Sequence, residues 1–290
     1  MTTPRWRASS VARDHLLVKY GVVLFATDET IAPAVLGPAL EERGFDALFV
    51  PEHSHIPASR ESPAPAGGDL PRHFHRTIDV FVTLAVVAAT TTRLGLGTGG
   101  ALPAERDVIH TAKQVASLDL VSGGRALFGV GVGWNREEAA DHGVDPRRRG
   151  KVLDEKLAAM VRIWTEEQAE FHGDHVDFGP MWCWPKPVQT PYPPIYVGGE
   201  SDAALRRLRD YGDAWLRDRF DLETFRRVRT WLADEGRPDV PFTAFGADSD
   251  AFDPTGLEDV GVDRVAFWVD PGPERDVLHR LDAIAQRWIG

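Results

Sequence analysis

Four stretches of this sequence hold residue types that can do chemistry. In Glu52–His53–Ser54–His55 an H-x-H pair stands directly behind a carboxylate. On an extended segment that spacing puts both imidazoles on one face, as a metal site would require. Taken alone, His53 is either a polar loop residue or a general acid or base, since imidazole titrates near neutrality. The second stretch is Thr98–Gly99–Gly100. The third, Gly129–Val130–Gly131–Val132–Gly133–Trp134–Asn135, alternates glycines without the G-x-G-x-x-G spacing of a dinucleotide fold. Its glycines suit either the close approach of a flat ring or close packing of a strand end. In the fourth, Gly198–Gly199–Glu200–Ser201–Asp202, two glycines let a ligand approach the backbone, and Ser201 or Asp202 can cap the helix that follows. That start would hold an anion, or would simply be a capped strand-to-helix turn.

The chain has no G-x-S-x-G, no G-x-x-x-x-G-K-[ST] and no H-E-x-x-H, so a hydrolase elbow, a P-loop and a zincin have no support. A barrel metallohydrolase would need His53, His55 and a later carboxylate, for which only Asp270 offers itself. Trp134, Trp182 and Trp184 could wall a pocket for a planar ligand or pack an insertion. One cysteine, Cys183, excludes an internal disulfide and a multi-cysteine metal site, and fits a reducing cytoplasm. With 33 Lys and Arg against 44 Asp and Glu, the net charge of −11 argues against nucleic-acid partners and anionic membranes. The uncharged run from Val80 to Thr92 is about 13 residues, short of the roughly 20 that span a bilayer. Residues 1–17 carry Arg5, Arg7 and Arg13 without an apolar stretch behind them, and are read as a flexible N-terminal arm rather than a secretory signal.

These residues need a frame, and the apolar pattern supplies one. Short β-branched runs alternate with segments of helical periodicity, as expected for repeated βα units. The pattern predicts strands at Lys19–Phe25, Ala47–Val50, Arg93–Thr98, Ala126–Val130, Ile195–Val197, Ala214–Leu216, Pro241–Phe245 and Arg264–Val269. It predicts helices at Pro33–Glu42, Val80–Thr90, Val108–Leu120, Gly150–Trp164, Asp202–Tyr211, Leu222–Ala233, Thr255–Val260 and Glu274–Trp288. Eight units in 290 residues give about 36 per unit, the size of a (β/α)8 TIM barrel repeat. Each of the four chemical stretches then falls just after a strand, where barrel active sites form. Two connections, 51–77 and 165–194, are too long for plain loops and are read as insertion segments. The second alternates about a Gly-Asp pair at Phe171–Phe178, which predicts a hairpin capping one barrel end.

In order and spacing, several of these motifs resemble the luciferase-like monooxygenase family, within it the branch using the deazaflavin coenzyme F420. The resemblance spans nearly the whole chain. It is carried by Gly44–His53, Arg93–Gly99, Ala112–Asp119, Ser122–Arg125, Gly129–Trp134, Pro185–Gln189 and Pro194–Gly199 followed by Ser201. It implies a single luciferase-like (β/α)8 barrel over residues 18–290, with F420, or alternatively FMN, at the strand C-termini. It further implies a non-prolyl cis peptide at Gly99–Gly100 against the coenzyme ring and His53 facing the reacting centre, with Glu52 orienting it. By the same resemblance Ser201 holds phosphate with the amides of Gly199 and Glu200, next to Gly198. Gly131 and Gly133 admit the ring, and Thr98, Trp134 and Asn135 lie near it. Arg149 or Arg148 pairs with phosphate or the acidic coenzyme tail. Both insertions, with His55, His73, His75 and the two tryptophans, are expected to shape the substrate pocket.

The expectation is therefore a cytoplasmic oxidoreductase, a homodimer by analogy with similar barrels, that passes a hydride between F420 and a small organic substrate while His53 handles a proton. Three readings compete with it: a reduced-FMN-dependent monooxygenase on the same fold, the more remote metal-dependent hydrolase, and a flavin- or coenzyme-binding protein without turnover, since a barrel and a ring site do not guarantee catalysis.

Overall fold

The computed structural model describes residues 18–218 and 220–290; the stretch read as an arm lies outside them. In chain order the strands are β1 (Lys19–Val23), β2 (Ala47–Val50), β3 (Gly95–Thr98), β4 (Ala126–Val130), β5 (Ala169–His172), β6 (Asp177–Met181), β7 (Ile195–Gly198), β8 (Ala214–Asp218), β9 (Phe242–Ala247) and β10 (Val262–Trp268). Eight of them close into a parallel barrel in the order β1-β2-β3-β4-β7-β8-β9-β10, with β10 returning to β1 from Lys19↔Arg264 to Val23↔Trp268. This is the expected (β/α)8 barrel. The helices are α1 (Pro33–Glu42), α2 (Val80–Thr90), α3 (Val108–Ser122), α4 (Arg136–Asp141), α5 (Arg149–Thr165), α6 (Asp202–Tyr211), α7 (Leu222–Asp234) and α8 (Glu274–Trp288). The bounds of α1, α2, α6 and α8 coincide with the apolar periodicity. The helix expected at Thr255–Val260 is only a 3-10 turn, Glu258–Val260, and α4 was not expected at all.

Alternation along the strands divides the core in two. Outward residues such as Val22, Leu48 and Phe128 pack under the helices, whereas Val23, Phe49, Tyr196, Leu216 and Ala266 fill the barrel interior. The interior also holds a cation. Arg264 donates to Asp46 at 2.8 Å and to the Tyr196 hydroxyl at 3.1 Å, at the end of the barrel where β2 begins. A buried guanidinium is tolerated because these acceptors replace its water.

Strands β5 and β6 form the expected antiparallel hairpin, but it does not cap a barrel end. It lies along the outer face of α5, where Glu155 accepts the amides of Asp174, His175 and Val176 at 3.2, 2.7 and 3.1 Å. Its position follows from those three donors, which the turn leaves unpaired and one carboxylate satisfies. The segment behind it is tied to the barrel through Asp119 of α3. This fully buried carboxylate accepts the amides of Val188 and Gln189 at 2.8 and 2.9 Å and the Gln189 side-chain amide at 2.6 Å.

Replacing Asp119 with Ala takes the acceptor from two part-buried backbone amides and the Gln189 side chain, and Asp119→Ala is expected to lower unfolding stability by about 2–3 kcal/mol. Urea unfolding followed by far-UV circular dichroism measures it; a loss below about 1 kcal/mol would mean the 182–194 segment is held by packing alone.

Candidate active site at the barrel mouth

His53 emerges from the C-terminal end of β2 with a side chain only 5% exposed. Its Nδ1 lies 2.6 Å from Glu138 Oε2, and the Trp134 indole donates to its Nε2 at 3.1 Å. An indole nitrogen can only donate, so Nε2 must accept, and the imidazole proton sits on Nδ1 aimed at Glu138. His53 is thereby held as one neutral tautomer. Its walls are aromatic: Phe25 stacks on it at 6.4 Å, and Phe74 and Trp134 stand 5.5 Å away.

Glu138, not Glu52, orients the histidine. Glu52 is committed elsewhere: Oε2 accepts the Leu102 amide at 2.8 Å and Oε1 accepts the Arg106 guanidinium, with Arg106 Nε at 2.7 Å. Arg106 also reaches Asp79 at 2.8 Å and so joins the end of β2 to the start of α2. Burial alone would push the Glu138 carboxyl up. The bond from His53 and the amides of Ser54 and His55 outweigh it, holding Glu138 below the ordinary carboxylate range.

Short α4 places Glu138. Asn135 caps it by accepting the Glu137 and Glu138 amides at 3.1 and 3.2 Å. Asn135 is thus part of the frame, not a ring contact as expected, because its side-chain oxygen is used and the residue is buried. Asn-x-x-Glu is the pattern of a capping box, and that signal could have located the helix and its glutamate. Here the glutamate leaves the cap and turns to the histidine. Its neighbour Glu137 accepts the amides of Glu61 and Ser62 at 2.8 and 3.0 Å, pinning the 51–77 insertion over the mouth.

The glycines form a cradle at the ends of β3, β4 and β7. Gly99–Gly100 is a cis peptide, as the resemblance implies. A Cβ on Gly99 would come within 2.9 Å of the Phe245 ring, and one on Gly100 within 3.0 Å of the Val130 backbone. On Gly131 the nearest atom would be 4.0 Å away, which leaves open surface above the strand end. Gly198 lies 3.2 Å from the Val130 carbonyl by the same measure. Thr98, expected near the ring, instead ties β3 to β4: its hydroxyl donates to the Gly129 carbonyl at 2.6 Å and the residue is buried. Gly199, with φ of +97°, turns the chain into α6, where Ser201 accepts the Ala204 amide at 3.3 Å as the N-cap. Beside it, Glu200 pairs with Arg217 of β8 at 2.8 Å, and the Arg217 Nε is buried without a partner. An open glycine surface and an incompletely satisfied guanidinium beside a helix start fit a flat ring with an anionic tail. Sequence reasoning missed Phe25, Phe74, Glu138 and Arg217.

A cavity of about 850 Å³ opens between α4 and the first insertion, lined among others by Gly133, Trp134, Arg149 and residues 61–65; none of the cradle glycines at the ends of β3 and β7 lines it. Arg149 stands there with Nη1 donating to the Pro146 carbonyl at 3.2 Å. Nothing from 165–194 lines it, so only the first insertion shapes this space; Trp182 and Trp184 are 69% and 53% exposed. The alternative metal set does not converge. His53 faces Glu138 and Trp134, His55 faces Ser54 and Asp141, and Asp270 accepts the Trp268 indole at 2.8 Å. Among the described residues no group of three or more His, Cys, Asp or Glu is placed to hold an ion.

Comparison with known proteins now decides the family. Residues 34–247 match the model of the luciferase-like monooxygenase family. The chain belongs to that family. An uncharacterised Mycobacterium tuberculosis protein is 42% identical over 230 residues, 77% of this chain and 81% of its own length. A Streptomyces bottropensis monooxygenase shares the fold at a TM-score of 0.75 and 20% identity, covering 94% of this chain and 99% of its own. The coenzyme F420-dependent tetrahydromethanopterin reductase of Methanopyrus kandleri does so at 0.70 and 16%, covering 94% and 98%. This luciferase-like protein is an enzyme of the oxidoreductase and monooxygenase class. Among its described residues no helix is long and apolar enough to cross a membrane.

One carboxyl at the mouth stands apart. Glu105, 9% exposed, has both oxygens buried without partners, and Gly133, at φ of +72°, leaves room for it: a Cβ there would sit 3.2 Å from its Oε1. Burial, then the charges of Glu138 and Glu52, push Glu105 up to about 8, against a partial pull from Arg149 and Lys156. An acid raised in the folded state keeps its proton while the unfolded chain loses it, so its contribution to stability falls as pH rises from its ordinary value near 4.5 to about 8. Glu105→Gln removes that slope: the variant is expected to gain stability over the wild type from pH 5.5 to pH 8.5, by about 1 kcal/mol or more. Urea titrations at the two pH values test this, and a difference independent of pH would refute it.

Proposed function

We propose that this protein transfers a hydride between coenzyme F420 and a small organic substrate, with His53 handling the accompanying proton. The observation that carries the reading is the tautomer lock on His53: Glu138 holds the Nδ1 proton, leaving Nε2 as the acceptor at the mouth of the barrel. When bound, the deazaflavin supplies a carbon that gives or accepts a hydride; the residues of the chain do the rest. The ends of β3, β4 and β7 would carry the ring, and Gly199, Glu200 and Ser201 the phosphate. Arg149 and Arg217 would supply positive charge for the acidic tail. Phe25, Phe74 and Trp134 keep water from the imidazole. For Nε2 to receive a proton the Trp134 indole must turn away, and substrate entering the cavity beside Trp134 would displace it.

The F420 reductase of Methanopyrus kandleri, with its shared fold, supports this choice. The Streptomyces monooxygenase of the same fold favours monooxygenation, and the second reading is a monooxygenase that takes reduced FMN. The proposed setting is the cytoplasm, in line with the single free cysteine, Cys183. A homodimer is also proposed: adjacent helices α2 and α3 leave Val82, Val86, Leu120 and Val121 exposed.

Anaerobic titration with F420 and with FMN, followed by tryptophan fluorescence because Trp134 lines the cavity, separates the two coenzymes. Tight F420 binding with FMN weaker by about tenfold or more supports hydride transfer, and the reverse order makes the protein a flavin monooxygenase. For the proton role, His53→Ala is expected to bind coenzyme within about threefold of wild type yet turn over about 100-fold more slowly. An unchanged kcat across pH would remove His53 from the reaction.

A further inference from the structure

His53 and Glu138 are nearly sealed from solvent, with side chains 5% and 1% exposed. A buried base that takes up a proton must also lose one to water before it can act again. The Nε2 side is covered by Trp134 at rest and by substrate once the indole is displaced, so the exit starts at Nδ1.

We propose that Ser54, His142 and His55 form a proton relay that links the His53–Glu138 pair to bulk solvent. The relay deepens the proton role proposed for His53 and rests on it. The path is continuous. From His53 Nδ1 it crosses 2.6 Å to Glu138 Oε2, and from Oε1 of the same carboxylate 3.3 Å to the Ser54 hydroxyl. That hydroxyl stands 2.7 Å from His142 Nε2 and 2.8 Å from His55 Nδ1. His55 Nε2 then meets Asp141 at 3.0 Å, where the side chains are 40% and 59% exposed.

Two features separate a relay from a structural clasp. The Ser54 amide already donates to Glu138 Oε1 at 2.8 Å, so the hydroxyl is not required to hold the loop. That hydroxyl also has one proton for three partners, Glu138, His142 and His55. It can donate to only one at a time and can accept from either imidazole, so by rotating it can pass a proton between the carboxyl and the imidazoles.

The proton count closes without electron movement. A proton arriving at Nε2 makes His53 cationic, and the Nδ1 proton moves to Glu138 Oε2. The carboxyl turns to bring that proton to the Ser54 side, where it passes to the hydroxyl as the Ser54 proton passes to His142 or His55, which releases one to solvent. One proton enters and one leaves, which makes His53 neutral with its proton on Nε2; a half-turn of the ring returns that proton to the Glu138 side and frees the other nitrogen to accept again. In the opposite direction of hydride flow the same steps run backwards.

The test is made on the full-length protein without coenzyme, so it does not depend on turnover. The His53 Nδ1 proton, identified in 15N-labelled protein by its absence from His53→Asn, is followed by saturation transfer from water. Ser54→Ala is expected to slow its exchange about tenfold or more with the amide spectrum otherwise retained, and Ser54→Thr, which keeps a hydroxyl, to restore it. As a second probe, the exposed double substitution His55→Phe with His142→Phe is expected to slow exchange as well. An unchanged rate in Ser54→Ala, or equal slowing in Ser54→Thr, would overturn the relay. In the F420-loaded enzyme, Ser54→Ala should lower turnover in dilute buffer, and added imidazole should restore it; no rescue counts against the relay. Wild-type protein that never turns over F420 would instead refute the coenzyme reading, and the exchange rates then decide the relay alone.

Discussion

A carboxylate that is 1% exposed survives in a protein only where donors replace its lost water, and Glu138 obtains them from a single short segment. The His53 ring and the Ser54 amide and hydroxyl all turn onto it. The loop after β2 is therefore wrapped around a residue more than eighty positions later, and every other arrangement at the mouth has to accommodate that contact. Breaking it would leave both an unpaired charge and an unoriented imidazole in an apolar surround.

Helix α4 is the piece that makes the contact achievable. It is too short to be stable by propensity, and Asn135 capping it at one end and the loops it holds compensate. Its two adjacent glutamates face different ways. Glu138 turns inward to the histidine, and Glu137 turns outward to the amides of Glu61 and Ser62, where bonds led by the one from the Ser62 hydroxyl bring it down to about 2. One turn of helix thus sets both the proton-handling residue and the covering insertion, which ties the shape of the cavity to the state of the site.

Three carboxyls crowd this region, and the structure treats each differently. Glu52 has a guanidinium, and Glu138 has an imidazole and amides. Glu105 has neither and stays protonated near neutrality. Like charges in a poorly solvated space cannot all ionise, so neutralising one of the three lets the other two keep theirs.

The barrel was legible in the sequence because strand and helix formation there depends on local periodicity, and residues such as Val22, Val23, Leu48 and Phe49 alternate without exception. The positions of His53, of the cradle glycines and of Ser201 followed from strand ends, which the same pattern marks. What touches what did not follow. Glu52 stands next to His53 in the chain yet serves Arg106, and Thr98 and Asn135 sit beside the expected ring site yet serve the backbone. Glu138, Phe74 and Arg217 reach the mouth only because separate βα units close on one another, and the hairpin lies along α5 because Glu155 waits there for its amides. Local sequence sets where a chain bends and which face it buries; the partner of a buried polar group is chosen by the whole closed barrel, since only there is water removed and a particular donor left in reach.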